Sequence, residues 1–214
     1  DSLFGQTTVN GQSNGRGYGI NSSLTKTYDK GWYISGQASY KRSGDFSSPD
    51  YILTNTGNES TAFSLFTGRK KLEYGYELYY SYLDNEIGIL RTSHIGNLFD
   101  FRRAINSSQP IVIEDFNNSI NVPKQDIKHH LIKANYYKRF ENFGKINLQY
   151  DYQNNRRKEF DVRIGDRRNI PAVDLILQTH TILADVNLDS NLEQRVNFGI
   201  LGRYQDNFAN PDTG

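Results

Sequence analysis

The sequence predicts an all-β protein, an antiparallel meander of about eight long strands. Two observations lead to this prediction. Apolar and polar residues alternate along several long stretches, and the connections between these stretches are alternately short and long. Alternation with a period of two is typical of strands whose two faces meet different surroundings. Most of the stretches exceed the usual strand length of about five or six residues. They cover 18–28, 31–41, 61–69, 72–82, 127–140, 146–153, 179–188 and 196–205.

Each predicted strand has one apolar face. In 72–82 the alternation is cleanest: the apolar residues lie on one side of the strand, and Glu73, Glu77 and Ser81 lie on the other. In 179–188 Leu183 breaks the pattern. The apolar faces in chain order are Trp32, Ile34, Ala38 and Tyr40; Leu72, Tyr74, Tyr76, Leu78, Tyr80 and Tyr82; Ile146, Leu148, Tyr150 and Tyr152; His180, Ile182, Ala184, Val186 and Leu188; and Val196, Phe198, Ile200 and Tyr204, with weaker patterns in 18–28, 61–69 and 127–140.

The connections give the two ends of the sheet different characters. Long loops are predicted at about 43–60, 84–126 and 156–175, and short turns at 29–31, 69–71, 141–144 and 190–193. Consecutive antiparallel strands place alternate connections at opposite ends, so all short turns share one end. Outer-membrane β-barrels have this layout, with strands of about 9 to 11 residues across the bilayer and aromatic residues near both interfaces. A soluble antiparallel sheet with one wet face also alternates.

Composition excludes several function classes. The formal net charge is only +1, whereas a nucleic-acid-binding domain usually has a clear excess of basic residues. The lack of cysteine excludes disulfides, thiolate zinc sites and a cysteine nucleophile. Neither a phosphate-binding loop nor a nucleophile elbow occurs, so we expect neither an enzyme nor a cofactor. The loop-like composition of 210–214 and the start at Asp1 predict a piece of a larger protein.

A set of segments in the predicted loops and strand ends carries a family resemblance. They are Ser43-Gly44-Asp45-Phe46, Pro49-Asp50-Tyr51, Asn55-Thr56-Gly57, 88–97, Pro123-Lys124-Gln125, His129-His130-Leu131, 157–161 and 171–175. Together they resemble TonB-dependent outer-membrane receptors of the Bacteroidetes type, over roughly residues 17 to 210. The resemblance implies a barrel of about 22 strands with an N-terminal plug domain that engages TonB. Residues 1–214 would then be a partial barrel without the plug, located in the bacterial outer membrane.

Such receptors bind and import a scarce ligand (a ferric siderophore, haem, cobalamin or glycan) with TonB-coupled energy, so the implied partners are that ligand, TonB through the plug, and outer-membrane lipid. The 84–126 loop is the expected ligand contact because it is the longest. A purely structural lid or hairpin is the other interpretation of this loop. The alternative function is a self-contained eight-stranded outer-membrane or lipocalin-like barrel with a structural or binding role. The candidate ligand-binding residues are Arg91, His94, Phe99, Arg102 and Arg103.

Overall fold

One nine-stranded antiparallel sheet forms the body of the protein in the computed structural model, which describes residues 1–93, 98–162, 170–188 and 196–211. Each strand pairs with its neighbours in chain order. The predicted all-β class and antiparallel meander are therefore confirmed. The sheet is open, because β1 and β11 each have one unpaired edge within the described residues. Its strands are β1 Ser2–Gln12, β2 Gly17–Thr27, β3 Trp32–Ser43, β6 Asn58–Lys70, β7 Tyr74–Gly88, β8 Lys124–Phe140, β9 Gly144–Phe160, β10 Val173–Leu188 and β11 Val196–Pro211; β4 Phe46–Ser47 and β5 Ile52–Leu53 form a separate small hairpin.

The predicted strand count of about eight is wrong by one. The missed strand is β1, which pairs with β2 over its full length. Its apolar positions are diluted by Gly5, Thr7 and Gly11, and Phe4 lies on the opposite face, so the period-two signal is weak. Pairing with β2 therefore decides its structure, because strand propensity depends strongly on context.

The described turns among the predicted short ones share one end of the sheet, but the prediction that the other end carries only long loops is wrong, because the β1–β2 connection there has four residues. Residues 28–31, 71–73 and 141–143 lie at one end, which we call the short-turn end. The predicted turn at 190–193 lies outside the described residues. The 44–57 and 89–123 loops lie at the other, long-loop end, together with the four-residue β1–β2 connection. At the short-turn end Gly31 has φ +83°, and a Cβ there would lie 2.1 Å from the Lys70 carbonyl oxygen, so this turn requires glycine.

Strands continue into the predicted long loops. β7 extends to Gly88 and β9 to Phe160, so the predicted 84–126 and 156–175 loops shrink to 89–123 and 161–172. In these extensions, charged residues occupy the positions that are apolar in the rest of each strand. Such a composition is typical of loops, which is why the sequence predicted loops here. Ion pairs such as Lys128 with Asp84 join neighbouring strands there, so charge complementarity supports the ladder.

Register divides the sheet into an apolar face and a polar face, because directly opposed residues in neighbouring strands share a face. The apolar face contains the row Trp32, Arg69, Tyr76, Tyr136, Leu148, Ala184 and Ile200, and the polar face the row Tyr33, Gly68, Glu77, Asn135, Gln149, Leu183 and Leu201. Leu183, the exception to the sequence pattern, thus lies opposite Leu201 on the polar face.

Neither face is covered. Among the described residues no hydrophobic side chain is buried, and many large apolar side chains are exposed. The only α-helix in that part of the chain is α1, Leu98–Ile105, in the 89–123 loop. No helix in the described ranges is long and apolar enough to cross a membrane. Lateral backbone pairing and the loop contacts therefore hold this sheet together.

Candidate functional site

The apolar face has an apolar band between two sets of aromatic residues. Along β7 the band runs from Tyr74 to Tyr82. On the short-turn side Trp32 packs edge-on against Tyr76 with ring centroids 5.5 Å apart. Between the two borders the face carries aliphatic residues such as Leu78, which is 53% exposed. The band therefore presents its most apolar part in its middle and amphipathic rings at its borders.

On the long-loop side the border repeats one motif. Tyr80 and Tyr82 of β7 contact His130 of β8, with the Tyr80 hydroxyl 2.9 Å from His130 Nδ1. Two strands further along, Tyr150 and Tyr152 of β9 contact His180 of β10 in the same way, with the Tyr150 hydroxyl 2.8 Å from Nδ1. This border therefore combines the apolar surface of aromatic rings with the polar tyrosine hydroxyl and histidine ring-nitrogen atoms.

Beyond this border, toward the long-loop end, the same face carries charged side chains that form ion pairs with one another. Arg156 donates to Asp174 from Nε at 2.9 Å and from Nη2 at 2.6 Å. These charge-assisted hydrogen bonds hold the pKa of Asp174 below its ordinary value. The other ion pairs on this part of the face are Arg42 with Glu59, Lys124 with Glu86 and Asp126, and Lys128 with Asp84. The apolar band therefore ends abruptly toward the long-loop end.

The long loops fold onto one another and are joined at Asp45, which is 1% exposed. Its Oδ1 accepts a hydrogen bond from the Thr56 amide at 2.9 Å, and its Oδ2 accepts one from the Asn117 amide at 3.2 Å. The Asp45 amide in turn donates to the Asn117 carbonyl at 3.0 Å. One buried carboxylate thus connects the 44–57 loop to the returning part of the 89–123 loop.

Asn55 forms a second junction and is 5% exposed. Its Nδ2 donates to the carbonyls of Ile89 and Pro123 at 2.9 and 2.8 Å, and its Oδ1 accepts from the Asn121 amide at 2.8 Å. Its φ of +66° lies in the left-handed region, which asparagine tolerates better than most residues. Both ends of the 89–123 loop are therefore held by one side chain.

The returning part of the 89–123 loop also reaches the tops of β1, β2 and β3. Arg42 donates to the Asn118 carbonyl at 3.3 Å, and the Arg16 guanidinium lies 4.0 Å from the ring centre of Phe116. A Cβ on Gly44 would lie 2.6 Å from the Asn117 carbonyl oxygen, so only glycine permits this approach. We call residues 44–57 together with 113–123 the loop cap.

A polar cavity of about 210 Å³ lies within the loop cap. It combines two carboxylates, one guanidinium, amides and hydroxyls, so it can hydrogen-bond a polar ligand through both donors and acceptors. Its lining residues are Asp45, Thr54, Asn55, Arg91, Glu114, Asn117, Ser119, Asn121 and Val122.

The structure distributes the residues predicted for ligand binding. Arg91 lines the cavity, where its Nη1 donates to the Val122 carbonyl at 2.7 Å. Phe99 lies on α1 and is 75% exposed, and Arg102 and Arg103 lie exposed on the same helix. His94 lies outside the described residues. The five residues are therefore not shown to form one site.

The structural interpretation describes part of the 84–126 loop, and the ligand-contact interpretation stays a prediction. The returning part packs as a structural lid through Asn117 and Asn121, whereas α1 exposes apolar and basic side chains. Sequence reasoning for binding residues missed the cavity residues other than Arg91. Asn55-Thr56-Gly57 was the available signal, because asparagine and glycine both favour turns.

The polar face has its own network at the short-turn end. Glu77 accepts hydrogen bonds from the Tyr33 hydroxyl at 2.5 Å and from Asn135 Nδ2 at 3.3 Å, and Lys70 lies 3.8 Å from the carboxylate. His129 lies on this face with its Nδ1 3.2 Å from Asn155 Nδ2, opposite in orientation to His130. The polar face therefore suits water or a hydrophilic partner.

Comparison with known proteins identifies no relative: no protein-family model matches the chain, and no curated protein matches it.

Proposed function

We propose that this chain forms part of the wall of a transmembrane β-barrel in the bacterial outer membrane. The single observation that carries the proposal is the bounded apolar band on a sheet without buried hydrophobic side chains among its described residues. In water such a face would be costly, since burial of apolar surface is worth about 25 cal/mol per Å². In a bilayer the lipid chains cover the same face at no such cost.

The height of the apolar band supports the proposal. From Tyr74 to Tyr82 the chain takes eight residue steps, which at about 3.4 Å each span about 27 Å along the strand. With a tilt of about 40° the band is about 21 Å tall, close to the apolar band of about 25 Å typical of outer-membrane barrels. The aromatic residues at both borders are placed as interfacial anchors would be.

Within such a barrel, the chain would belong to a TonB-dependent receptor that binds and imports a scarce ligand: a ferric siderophore, haem, cobalamin or a glycan. This step depends on the resemblance of segments such as Ser43-Gly44-Asp45-Phe46 and Asn55-Thr56-Gly57, which form the loop cap. The implied plug domain and TonB would act on the polar face of the barrel. The chain itself would contribute binding and no bond chemistry.

The long loops contain a hydrogen-bonded part and an exposed part, and this arrangement supports a binding role. The loop cap supplies a fixed base, because Asp45 and Asn55 connect both loops by buried hydrogen bonds. In the same long loop α1 exposes Phe99, Arg102 and Arg103. An exposed ring beside two cations suits an aromatic or anionic ligand through stacking and charge.

The alternative, a self-contained eight-stranded barrel, agrees less well with the sheet. Closure needs pairing between the first and last strands, whereas β1 and β11 remain unpaired along one edge within the described residues. Bacterial outer-membrane barrels formed by one chain have an even number of strands, and this sheet has nine. Further strands at the two edges would resolve both points.

Energised uptake by whole cells tests the receptor proposal. Cells with and without the gene would be given a radiolabelled ferric siderophore, haem, cobalamin and an oligosaccharide, with and without a proton uncoupler. We expect one ligand to bind in both energy states and to accumulate only in energised cells that carry the gene. Accumulation that is unchanged by the uncoupler, or by loss of the gene, would contradict the proposal.

A further inference from the structure

The two ends of the apolar face differ in how their cations are neutralised. Toward the long-loop end Arg42, Lys124, Lys128 and Arg156 each form an ion pair. At the short-turn end Lys26 pairs with Asp1 at 3.9 Å, whereas Arg69, Lys71 and Lys138 form no ion pair with any described carboxylate. Glu73 lies in the same turn and pairs with none of the three. We call Arg69, Lys71 and Lys138 the basic turn cluster.

The basic turn cluster is gathered around one tyrosine. The Arg69 guanidinium lies 5.7 Å and the Lys71 ammonium 5.6 Å from the ring centre of Tyr74. Lys138 is the residue directly opposite Tyr74 in the β7–β8 register. The Lys138 ammonium itself lies 4.9 Å from the ring centre of Phe140. Two cations over one ring and a third on the neighbouring strand repel one another, so an anion between them would be stabilised.

The position of the cluster relative to the apolar band indicates the source of that anion. Arg69 also lies 5.6 Å from the ring centre of Trp32, which stands at the short-turn border of the band. In the proposed barrel this border coincides with the lipid headgroups. Adjacent to it a groove of about 410 Å³ is lined by Tyr28, Trp32, Ile34 and Thr67 on the side of the band.

We infer that the basic turn cluster binds the phosphodiester headgroup of an anionic phospholipid, with an acyl chain against the groove beside Trp32. Charge complementarity supplies the selectivity, because the cations lie at headgroup depth without protein counter-ions. Phosphatidylglycerol, with one negative charge and no cationic group, therefore binds here in preference to zwitterionic phosphatidylcholine. This inference depends on the proposed membrane location.

Trp32 is the only tryptophan in the chain, so its fluorescence reports on this site alone. The whole barrel protein to which the chain is proposed to belong, with any tryptophan outside these 214 residues replaced by phenylalanine, would be refolded into vesicles of equal phosphatidylglycerol and phosphatidylcholine, with brominated acyl chains on one lipid at a time. Bromine quenches tryptophan on contact. At about fivefold preference per basic residue near an anionic surface, we expect brominated phosphatidylglycerol to quench Trp32 at least about twice as strongly as brominated phosphatidylcholine.

Substitutions distinguish lipid binding by the basic turn cluster from a general effect of the protein's positive charge. Lys71→Gln with Lys138→Gln leaves Arg69 beside Trp32 and should remove most of the preference, and adding Arg69→Gln should remove the remainder. The matched control changes Lys124, Lys128 and Arg156 to glutamine at the other end of the sheet; it should keep the full preference. Circular dichroism of each variant would establish that the sheet has formed.

The outcomes distinguish this inference from the proposed function. Equal quenching by the two lipids would overturn the headgroup site while leaving the membrane location intact. Loss of the preference in inorganic phosphate, but not in sodium chloride of the same ionic strength, would also overturn it, because the cluster would then bind free phosphate in place of the lipid headgroup. If neither brominated lipid quenches Trp32, the proposed membrane location itself fails.

Discussion

Replacing Asn55 by alanine should release the loop cap. The substitution removes the donor to the Ile89 and Pro123 carbonyls and the acceptor of the Asn121 amide. At a net worth of about 1 kcal/mol each, these three hydrogen bonds amount to about 3 kcal/mol. Alanine at φ +66° costs about 1 kcal/mol more. The free energy of local opening should therefore fall by about 4 kcal/mol.

Amide hydrogen exchange measures this opening directly. The useful reporters are the amides of Ile89 and Arg91, which donate to the Pro123 and Thr54 carbonyls at 2.9 and 3.1 Å and do not contact the Asn55 side chain. A loss of about 4 kcal/mol should accelerate their exchange by several hundredfold, up to the unprotected rate, since about 1.4 kcal/mol corresponds to a factor of ten.

Two further variants isolate the cause. Asn55→Gly permits the positive φ and removes only the hydrogen bonds, so exchange should accelerate by roughly a hundredfold. Asn118→Ala changes an exposed asparagine of the same loop and should leave exchange unchanged. If Asn55→Ala altered the exchange of Ile89 and Arg91 no more than Asn118→Ala does, the account of the loop cap would be refuted.

Three other perturbations test separate parts of the structure. Leu78→Arg, in the middle of the apolar band, should reduce stability in a bilayer by about 2 to 4 kcal/mol in denaturant titrations, whereas Ser81→Arg on the polar face should cost far less; equal losses would contradict the assignment of faces. Because Arg156 lowers the folded-state pKa of Asp174, that ion pair should stabilise the sheet above the ordinary pKa of 3.8 and lose its effect as pH falls through the lower folded value. Asp174→Asn should therefore cost up to about 1 kcal/mol at pH 7 and progressively less as pH falls below 3.8, and a pH-independent difference would argue against the pair. Phe99→Ala should weaken ligand binding to whole cells without changing exchange in the loop cap, and unchanged affinity would remove α1 from the proposed site.

Much of the sheet could be predicted from the sequence because one face of each strand is chemically uniform. The period-two pattern around Tyr76 and Leu78 identifies β7, and the short turns give the order of the strands. β1 escaped prediction because Gly5 and Gly11 interrupt its apolar face. The ends of the strands were not predicted, because charged residues such as Asp84 are typical of loops. The ion pair of Asp84 with Lys128 on the neighbouring strand is visible only in the structure.

The loop cap was less predictable for a different physical reason. Its junctions join residues far apart in the chain: Asp45 accepts from Asn117, and Asn55 donates to Pro123. No local pattern encodes which amide a buried carboxylate or carboxamide meets. Length, together with its basic and aromatic residues, identified the 84–126 loop as important. The distinction between its structural part and exposed α1 required the tertiary contacts.

The central claim is that the apolar face contacts lipid and the polar face water, and cysteine scanning of β7 tests it most directly. These 214 residues contain no cysteine, so single cysteines at positions 76–83 would each be the only thiol in this chain, with any cysteine elsewhere in the whole protein replaced by serine. In outer-membrane preparations a water-soluble maleimide should label positions 77, 79, 81 and 83 and leave 76, 78, 80 and 82 unreacted until detergent is added. Equal labelling of both sets before detergent would contradict the claim.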